Sequence, residues 1–368
     1  MMSKVIFADM RTSSKVNLFD KLTLLLEGVD IKSCIKKNNL IALKLHFGEK
    51  GNTAFIPPIF VRKIVDTVKY YEGKPFITDT NTLYRGERSE AISHLTLAIH
   101  HGYTYSVVDA PLVIADGIRG NTFVKVTINK HHFKDVSIGA ELFHADTIIG
   151  LAHFKGHELT GFGGALKNLG MGGASRQGKL SQHSNISPQI KRKLCKGCGD
   201  CIALCPQQAI QLIGDKSSID REKCIGCAEC ITVCLYEAIL IQWNETSILF
   251  QKKMVEHVFG VLKGKEGRAL FLNFLINISP ACDCYGHADT PIVPNIGILA
   301  STDPVSIDQA SVDLVNQETG LKNSALTLHF NKGEDKFKGL YPEVDWDVQL
   351  NYAEKMGLGT REYKLISV

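Results

Sequence analysis

Eight of the chain's eleven cysteines fall into two copies of one spacing, Cys195-x2-Cys198-x2-Cys201-x3-Cys205 and Cys224-x2-Cys227-x2-Cys230-x3-Cys234. Three thiolates on one tight loop can each take an iron corner of a cubane cluster. The fourth, displaced onto a short helix, points away and serves the other cluster. The spacing therefore predicts two 4Fe-4S clusters with crossed ligands: Cys195, Cys198, Cys201 and Cys234 on one, and Cys224, Cys227, Cys230 and Cys205 on the other. The stretch from Cys195 aligns without a gap on the stretch from Cys224, and Gly197, Gly199, Gly226 and Ala228 are small where backbone must approach sulfide. Pro206 has no counterpart, since Leu235 follows Cys234. Zinc ribbons also use paired C-x2-C elements, but four ligands per zinc would leave Cys201 and Cys205 unused. The segment resembles a bacterial two-cluster ferredoxin.

A third cysteine feature is Cys282-Asp283-Cys284, with His287 close behind. Two thiolates one residue apart can grip one metal, and Cys282, Cys284, His183 and His287 form a candidate third metal site. Two reduced thiols beside a turn are the plain alternative. His153 and His157 are four apart, which on a helix puts both imidazoles on one face, as a metal or acid/base pair needs. They can equally be loop histidines bonded to backbone. Lys155, Lys167 and Lys179 can bind an anion or stand as solvated surface lysines. His153, Lys155, His157 and Lys167 are the candidate catalytic residues. Glycines crowd the stretch from Gly156 to Gly173, allowing close backbone approach to a ligand or simply tight turns. No phosphate-binding loop fits, because Gly178-Lys179 is followed by Leu180 and no strand precedes it.

Elements that could position these residues alternate in type. Strands are expected at Val5 to Ala8, Leu40 to Phe47, Phe76 to Thr78 and Thr147 to His153, with shorter ones at Val107-Val108, Val113-Ile114 and Val124 to Ile128. Helices are expected at Leu18 to Glu27, from Pro57-Pro58 to Tyr71, and from Ser89 to His101. After the cysteine runs come a helix at Ile248 to Leu262, strands at Ala269 to Leu275 and Ile296 to Ala300, and a helix at Val305 to Asn316 capped by Asp303-Pro304. A helix at Tyr352 to Met356 and an edge strand at Tyr363 to Ser367 complete the pattern. The alternation predicts an α/β fold with a largely parallel sheet. The expected organisation is one α/β domain in two parts, residues 1–190 and 243–368, interrupted by a ferredoxin-like α+β insert at 191–242; alone, the second part would make a thin sheet. In such sheets ligands lie beyond the carboxyl ends of the strands, which nominates the loops after Leu40, Phe76 and Thr147 and the residues Ser301-Thr302-Asp303.

Composition narrows the class. With 368 residues, 44% hydrophobic, 22% charged and a net charge of +4, the chain has globular composition, and its basic residues are too scattered to indicate nucleic acid. The most apolar stretch, Ala269 to Ile278, is interrupted by Asn273 and Asn277 and is far shorter than a membrane span. The start lacks the layout of a secretory signal, so a cytoplasmic protein with reduced cysteines is expected, without membrane contact.

The motifs HFKGHELTGFGGALKNLGMGGASRQGKLSQHS (His153 to Ser184), KLHFGEKGN (Lys44 to Asn52), TDTNTLYRG (Thr78 to Gly86) and CDCYGHADTPIVPNIGILASTDPVSIDQASVDLV (Cys282 to Val315) span nearly the whole chain. On these the chain resembles the uncharacterised "Fe-S center protein" family, a domain of unknown function that carries a ferredoxin-type insert in some members. The resemblance implies 4Fe-4S binding and a cytoplasmic redox role, and brings no substrate or catalytic residues. The expected function is electron relay by two clusters between a redox partner protein and a small-molecule ligand or additional metal in the α/β domain. A non-catalytic electron carrier or adaptor, and a metal or cofactor maturation factor, are the alternatives.

Overall fold

The computed structural model describes residues 2–184 and 187–368. In chain order the first strands are β1 (Ser3–Asp9), β2 (Leu40–Lys44), β3 (Lys74–Asp79) and β4 (Leu112–Ile114). Next come the hairpin β5 (Phe123–Thr127) and β6 (Asp135–Gly139), then β7 (Thr147–His153) and the short hairpin β8 (Lys155–His157) and β9 (Gly161–Gly163). The cysteine-rich stretch carries β10 (Gln189–Ile190), β11 (Ile210–Ile213), β12 (Lys216–Ile219) and β13 (Ile239–Leu240). The chain then returns with β14 (Ala269–Leu275), β15 (Gly297–Ser301) and β16 (Tyr363–Ser367).

Eight of these strands form one sheet in the order β16-β1-β15-β14-β7-β2-β3-β4. Seven run parallel and β15 alone runs against them. Strands buried on both faces must be apolar throughout, and β7, with every residue buried, meets that demand. Alternation then sorts side chains between two cores: Leu270, Leu272 and Phe274 of β14 face one, Phe271 and Leu275 the other. The first core is covered by helices at Leu18–Gly28 and Pro58–Tyr70, the second by helices at Ser247–Leu262 and Pro304–Asn316. Because β14 and β15 sit between β1 and β7, segments from both sides of the cysteine-rich stretch complete a single sheet.

The cysteine-rich stretch builds two small sheets, β10 with β13 and β11 with β12, around its own core of Cys195, Cys201, Cys230, Cys234, Ile210, Ile231 and Ile239. Leu83 and Leu180, from the α/β part, pack into that core.

Two sequence expectations change. Val107 and Val108 lie in a helical turn, Tyr105–Val108, with both N–H groups bonded to the Thr104 carbonyl at 3.0 and 2.9 Å; local hydrogen bonding overrides their β preference. Ser301-Thr302-Asp303 leave the sheet at the edge opposite the other loops, because β15 is reversed. Asp303 instead caps the Pro304–Asn316 helix, accepting from the N–H groups of Val305 and Ser306 at 2.8 and 2.9 Å.

A buried carboxylate ties the layers together. Asp308 accepts from the backbone N–H groups of Ala165 and Leu166 at 2.7 and 3.0 Å and from the Asn273 amide at 2.8 Å, linking two helices to β14. Burial pushes its carboxyl up to about 6. Asp308→Ala should lower unfolding free energy by about 3 kcal/mol, since three donors lose their acceptor. Because the folded carboxyl holds its proton more tightly than the unfolded one, Asp308's contribution is fully present below about pH 4 and declines as pH rises through about 6. Urea midpoints should show the wild type losing ground to Asp308→Asn across that window; equal slopes would refute the assignment.

Candidate functional site

Parallel strands deliver their exits to one edge of the sheet. There the turns after β2, β3 and β14, together with the β8–β9 hairpin that follows β7, surround a cavity of about 590 Å³, a size suited to a small ligand. Lys44, His46, Asp79, Tyr84 and Arg88 line it from the β2 and β3 side. Lys155, His157, Lys167, Lys179 and His183 line it from the hairpin and the helices that follow, and Cys282 and Cys284 from the loop after β14. Leu83, Leu159, Met171, Trp243 and Phe250 give it apolar walls.

Lys155, His157, Lys167, His183, Cys282 and Cys284, singled out from sequence, thus meet in one cavity. His153 and His287 do not line it. His153 is buried with Nδ1 at 2.8 Å from Asp283 Oδ1 and Nε2 at 2.9 Å from the Ile276 carbonyl, so neither nitrogen is free for a ligand. His287 is exposed and stacks near Tyr285, its carbonyl accepting from the Asn52 amide at 3.0 Å. Nor do His153 and His157 share a helix face. They end β7 and β8, in extended chain, where four-residue spacing no longer brings rings together. The glycine-rich stretch supplies close packing here: a Cβ on Gly156 would strike the Pro280 carbonyl, so only glycine lets β8 lie against the Cys282 loop.

Asp283 fixes that loop. Its carboxylate, fully buried, sits 2.8 Å from His153 Nδ1 and 3.1 Å from Lys155 Nζ, and its carbonyl accepts from the Glu49 N–H at 2.9 Å. Burial opposes its ionisation, but His153 and Lys155 hold its carboxyl well below the usual range. The flanking cysteines are thereby turned into the cavity. Lys167 Nζ donates to Cys282 Sγ at 3.5 Å, and the Tyr84 hydroxyl donates to the Cys284 carbonyl at 3.1 Å. The hydrogen bond from Cys284 holds the Cys282 thiol well below its ordinary value, Lys167 and Lys155 adding to it against burial, while Cys284 is pushed up.

The cavity is rich in donors. Lys44 pairs with Asp79 at 3.2 Å, Arg88 with Glu49 at 3.2 Å, and Lys155 with Asp283. Among the described residues, Lys167 and Lys179 have no carboxylate at ion-pair distance; Lys179 bonds to Thr80 and the Asn81 carbonyl. Burial, reinforced by nearby cations, holds His46 and His157 well below the usual range and His183 down to about 3. His46 Nδ1 accepts from the Gly48 N–H at 2.9 Å and His157 Nδ1 from the Leu159 N–H at 3.2 Å. Each neutral ring therefore carries its proton on Nε2, as a donor rather than a metal ligand. His183 stacks on Phe250. Among the described residues no group of three or more His, Cys, Asp or Glu could hold a single metal ion. Such a lining suits an anionic ligand with an apolar body. Lys44, His46, Tyr84 and Arg88 went unselected in the sequence reading; their signal was position, immediately after the carboxyl ends of β2 and β3.

The paired runs form two hollows. Cys195, Cys198, Cys201 and Cys234 line one, with Tyr236; Cys205, Cys224, Cys227 and Cys230 line the other. The second backs onto the helix Arg176–His183, where Gln177 Nε2 donates to the Ile225 carbonyl at 2.7 Å and Leu180 faces Gly226. Lys179 and His183 of that same helix line the large cavity, as does Leu83. Arg85 donates to the Leu235 carbonyl at 3.0 Å and Asn121 to Glu229 at 2.8 Å, fastening the two parts together.

Burial pushes Lys179 down to about 8, against the pull of Asp116. The anionic dye anilinonaphthalene sulfonate should therefore bind the cavity more weakly as pH rises through about 8, where Lys179 gives up its proton. Fluorescence titration checks this: Lys179→Met should bind weakly at neutral pH with a flat profile, and an unchanged profile would exclude Lys179 from the site.

Among the described residues no helix is long and apolar enough to cross a membrane. No curated protein matches the chain. Among solved structures it is similar to the lactate racemase apoprotein from Thermoanaerobacterium thermosaccharolyticum, at 14% identity over 74% of this chain and 51% of that one, with a TM-score of 0.38. A protein from Thermotoga maritima matches at 9% identity over 92% of this chain and 58% of that one, with a TM-score of 0.37. The chain thus spans somewhat over half the length of each of these structures. A family profile matches residues 41–313, which take in β2 to β15 and every residue of the cavity. The chain belongs to that family, the domain of unknown function DUF362.

Proposed function

We propose that the protein is a cytoplasmic iron-sulfur redox protein in which two 4Fe-4S clusters relay electrons to or from a ligand held in the α/β cavity. The observation that carries this reading is the crossed partition of the eight cysteines: each hollow takes three from one run and the fourth from the other. The residues fit the groups in further ways. Positive φ at Gly197, Gly199, Gly226 and Ala228 (66°, 88°, 68° and 62°) repeats in both runs, the kind of backbone conformation that builds anion-binding concavities. Backbone N–H groups of Ser217, Ala209 and Ala238 donate to Cys195, Cys205 and Cys234 at 3.4, 3.2 and 3.3 Å. That the described residues hold no single-ion site is no obstacle, because each thiolate of a cubane meets its own iron corner.

When bound, each cluster would supply one-electron chemistry. The chain's own residues would set the path: Leu83 and Leu180 pack into the cysteine core, Leu180 against Gly226 of the second run, and Leu83 also lines the cavity. A reducing compartment keeps such thiolates available.

Anaerobic purification followed by iron and sulfide analysis should give about eight of each per chain, as two cubanes require. Cys234→Ser should remove the cluster of the first run's three cysteines and leave the other, halving the iron. Zinc in place of iron, or a loss confined to the second run's cluster, would refute the crossed assignment.

A further inference from the structure

Cys282 and Cys284 face the cavity together, and electron relay alone does not require them. We propose that they are a redox-active dithiol that reduces a small, negatively charged disulfide bound in the cavity.

Four features point this way. Cys282 and Cys284 stand two residues apart on one loop and both line the cavity, so an attacking thiolate and a resolving thiol face the same space. Asp283, locked by His153 and Lys155, holds both in place. Lys167 Nζ, 3.5 Å from Cys282 Sγ and without a carboxylate partner among the described residues, supports the thiolate. His46 and His157 present N–H groups to the cavity, and among the described residues no group of three or more His, Cys, Asp or Glu gathers with the two sulfurs to hold a metal. Those same N–H groups, with Lys167 and Lys179, complement carboxylates on the substrate. A disulfide across one intervening residue is strained, and strained disulfides are the labile, catalytic ones.

In the first step the Cys282 thiolate attacks one substrate sulfur, its S–S bond breaks, and one thiolate leaves. That thiolate takes the Cys284 proton. Cys284 then attacks Cys282 Sγ, closing the protein disulfide and releasing the second thiolate. The substrate has gained the two electrons the dithiol lost. Reopening the protein disulfide takes two electrons and one proton; this return step rests on the reading above, in which two one-electron groups stand behind the cavity.

Dithiobis(nitrobenzoate), a dianionic aromatic disulfide, is a direct probe. Mixed anaerobically in a stopped-flow with the full, pre-reduced chain, it should release two thionitrobenzoates in a fast phase. The Cys282–Cys284 peptide should become lighter by two hydrogens. Cys282→Ser should lose the fast phase, and Cys284→Ser should stop after one equivalent, with nitrobenzoate left on Cys282. Lys167→Met should slow the phase about tenfold, the worth of a charge-assisted hydrogen bond, and Lys167→Arg should recover most of it. A wild type without the fast phase, or one that stalls as the mixed disulfide, overturns the proposal; equal rates with neutral dithiodipyridine overturn its preference for anions. Iron measured on the same sample separates the two readings. A fast phase without iron keeps the dithiol and removes its electron source, whereas iron without a fast phase removes the dithiol.

Discussion

A carboxylate withdrawn from water stays ionised only when cations and hydrogen-bond donors compensate it, and Asp283 meets that condition through Lys155 at the start of β8 and the hydrogen bond with His153 at the end of β7. The pairing joins three pieces of chain that are remote in sequence: the β7 exit, the β8–β9 hairpin and the loop after β14. Everything that faces the cavity from this side inherits its position from that knot. Lys155 cannot rotate away without abandoning a buried charge, and Cys282 and Cys284 cannot part without pulling their middle residue out of its cage. His153 is thus a structural hydrogen-bond partner of Asp283 rather than a reacting group.

The remaining cavity charges follow the same logic with different outcomes. Lys44 and Arg88 share Asp79, so the β2 and β3 exits are stitched to each other. Lys167 and Lys179 are left to polar neighbours and a thiol sulfur. Burying ammonium groups without full compensation reduces stability, and apolar residues of similar volume would pack at less cost. Their cluster at one edge of the sheet, beside aromatic walls, marks the edge as a place where binding outweighs stability. The neutral histidines fit this picture, since desolvation and neighbouring cations both suppress a further positive charge.

Much of this was legible in the sequence. The two cysteine runs announced their grouping into two hollows through spacing alone, since three cysteines on one loop and a fourth beyond it allow few arrangements. Strand-exit positions located the cavity, because parallel strands leave at one edge whatever their composition. Three things were not legible. The direction of β15 depends on which neighbours it pairs with, and no local pattern in Ile296 to Ala300 encodes that, so Asp303 was assigned to the wrong edge. His153 and His157 read as helical partners because spacing carries no information on backbone conformation; Gly156, wedged against Pro280, decides for an extended chain. Arg88 drew no notice because its burial arises from Glu49 and Asp79, which the fold of β2 and β3 brings to it and which no local pattern marks.

The order of the strands also bears on how the protein is made. A ribosome delivers β7 well before β14, its partner in the centre of the sheet, and the whole cysteine-rich stretch emerges between them. Until residues 269–308 follow, β7 has a bare flank and Asp308 is not yet available to the Ala165 helix. The small cysteine core, whose strands and ligands are local to one another, closes over far shorter distances. Its thiols can therefore come together while the larger sheet is still open, in the interval of synthesis between β13 and β14. Until β14 arrives the nascent sheet carries an unpaired central edge, exposed to aggregation at the moment it most needs a partner.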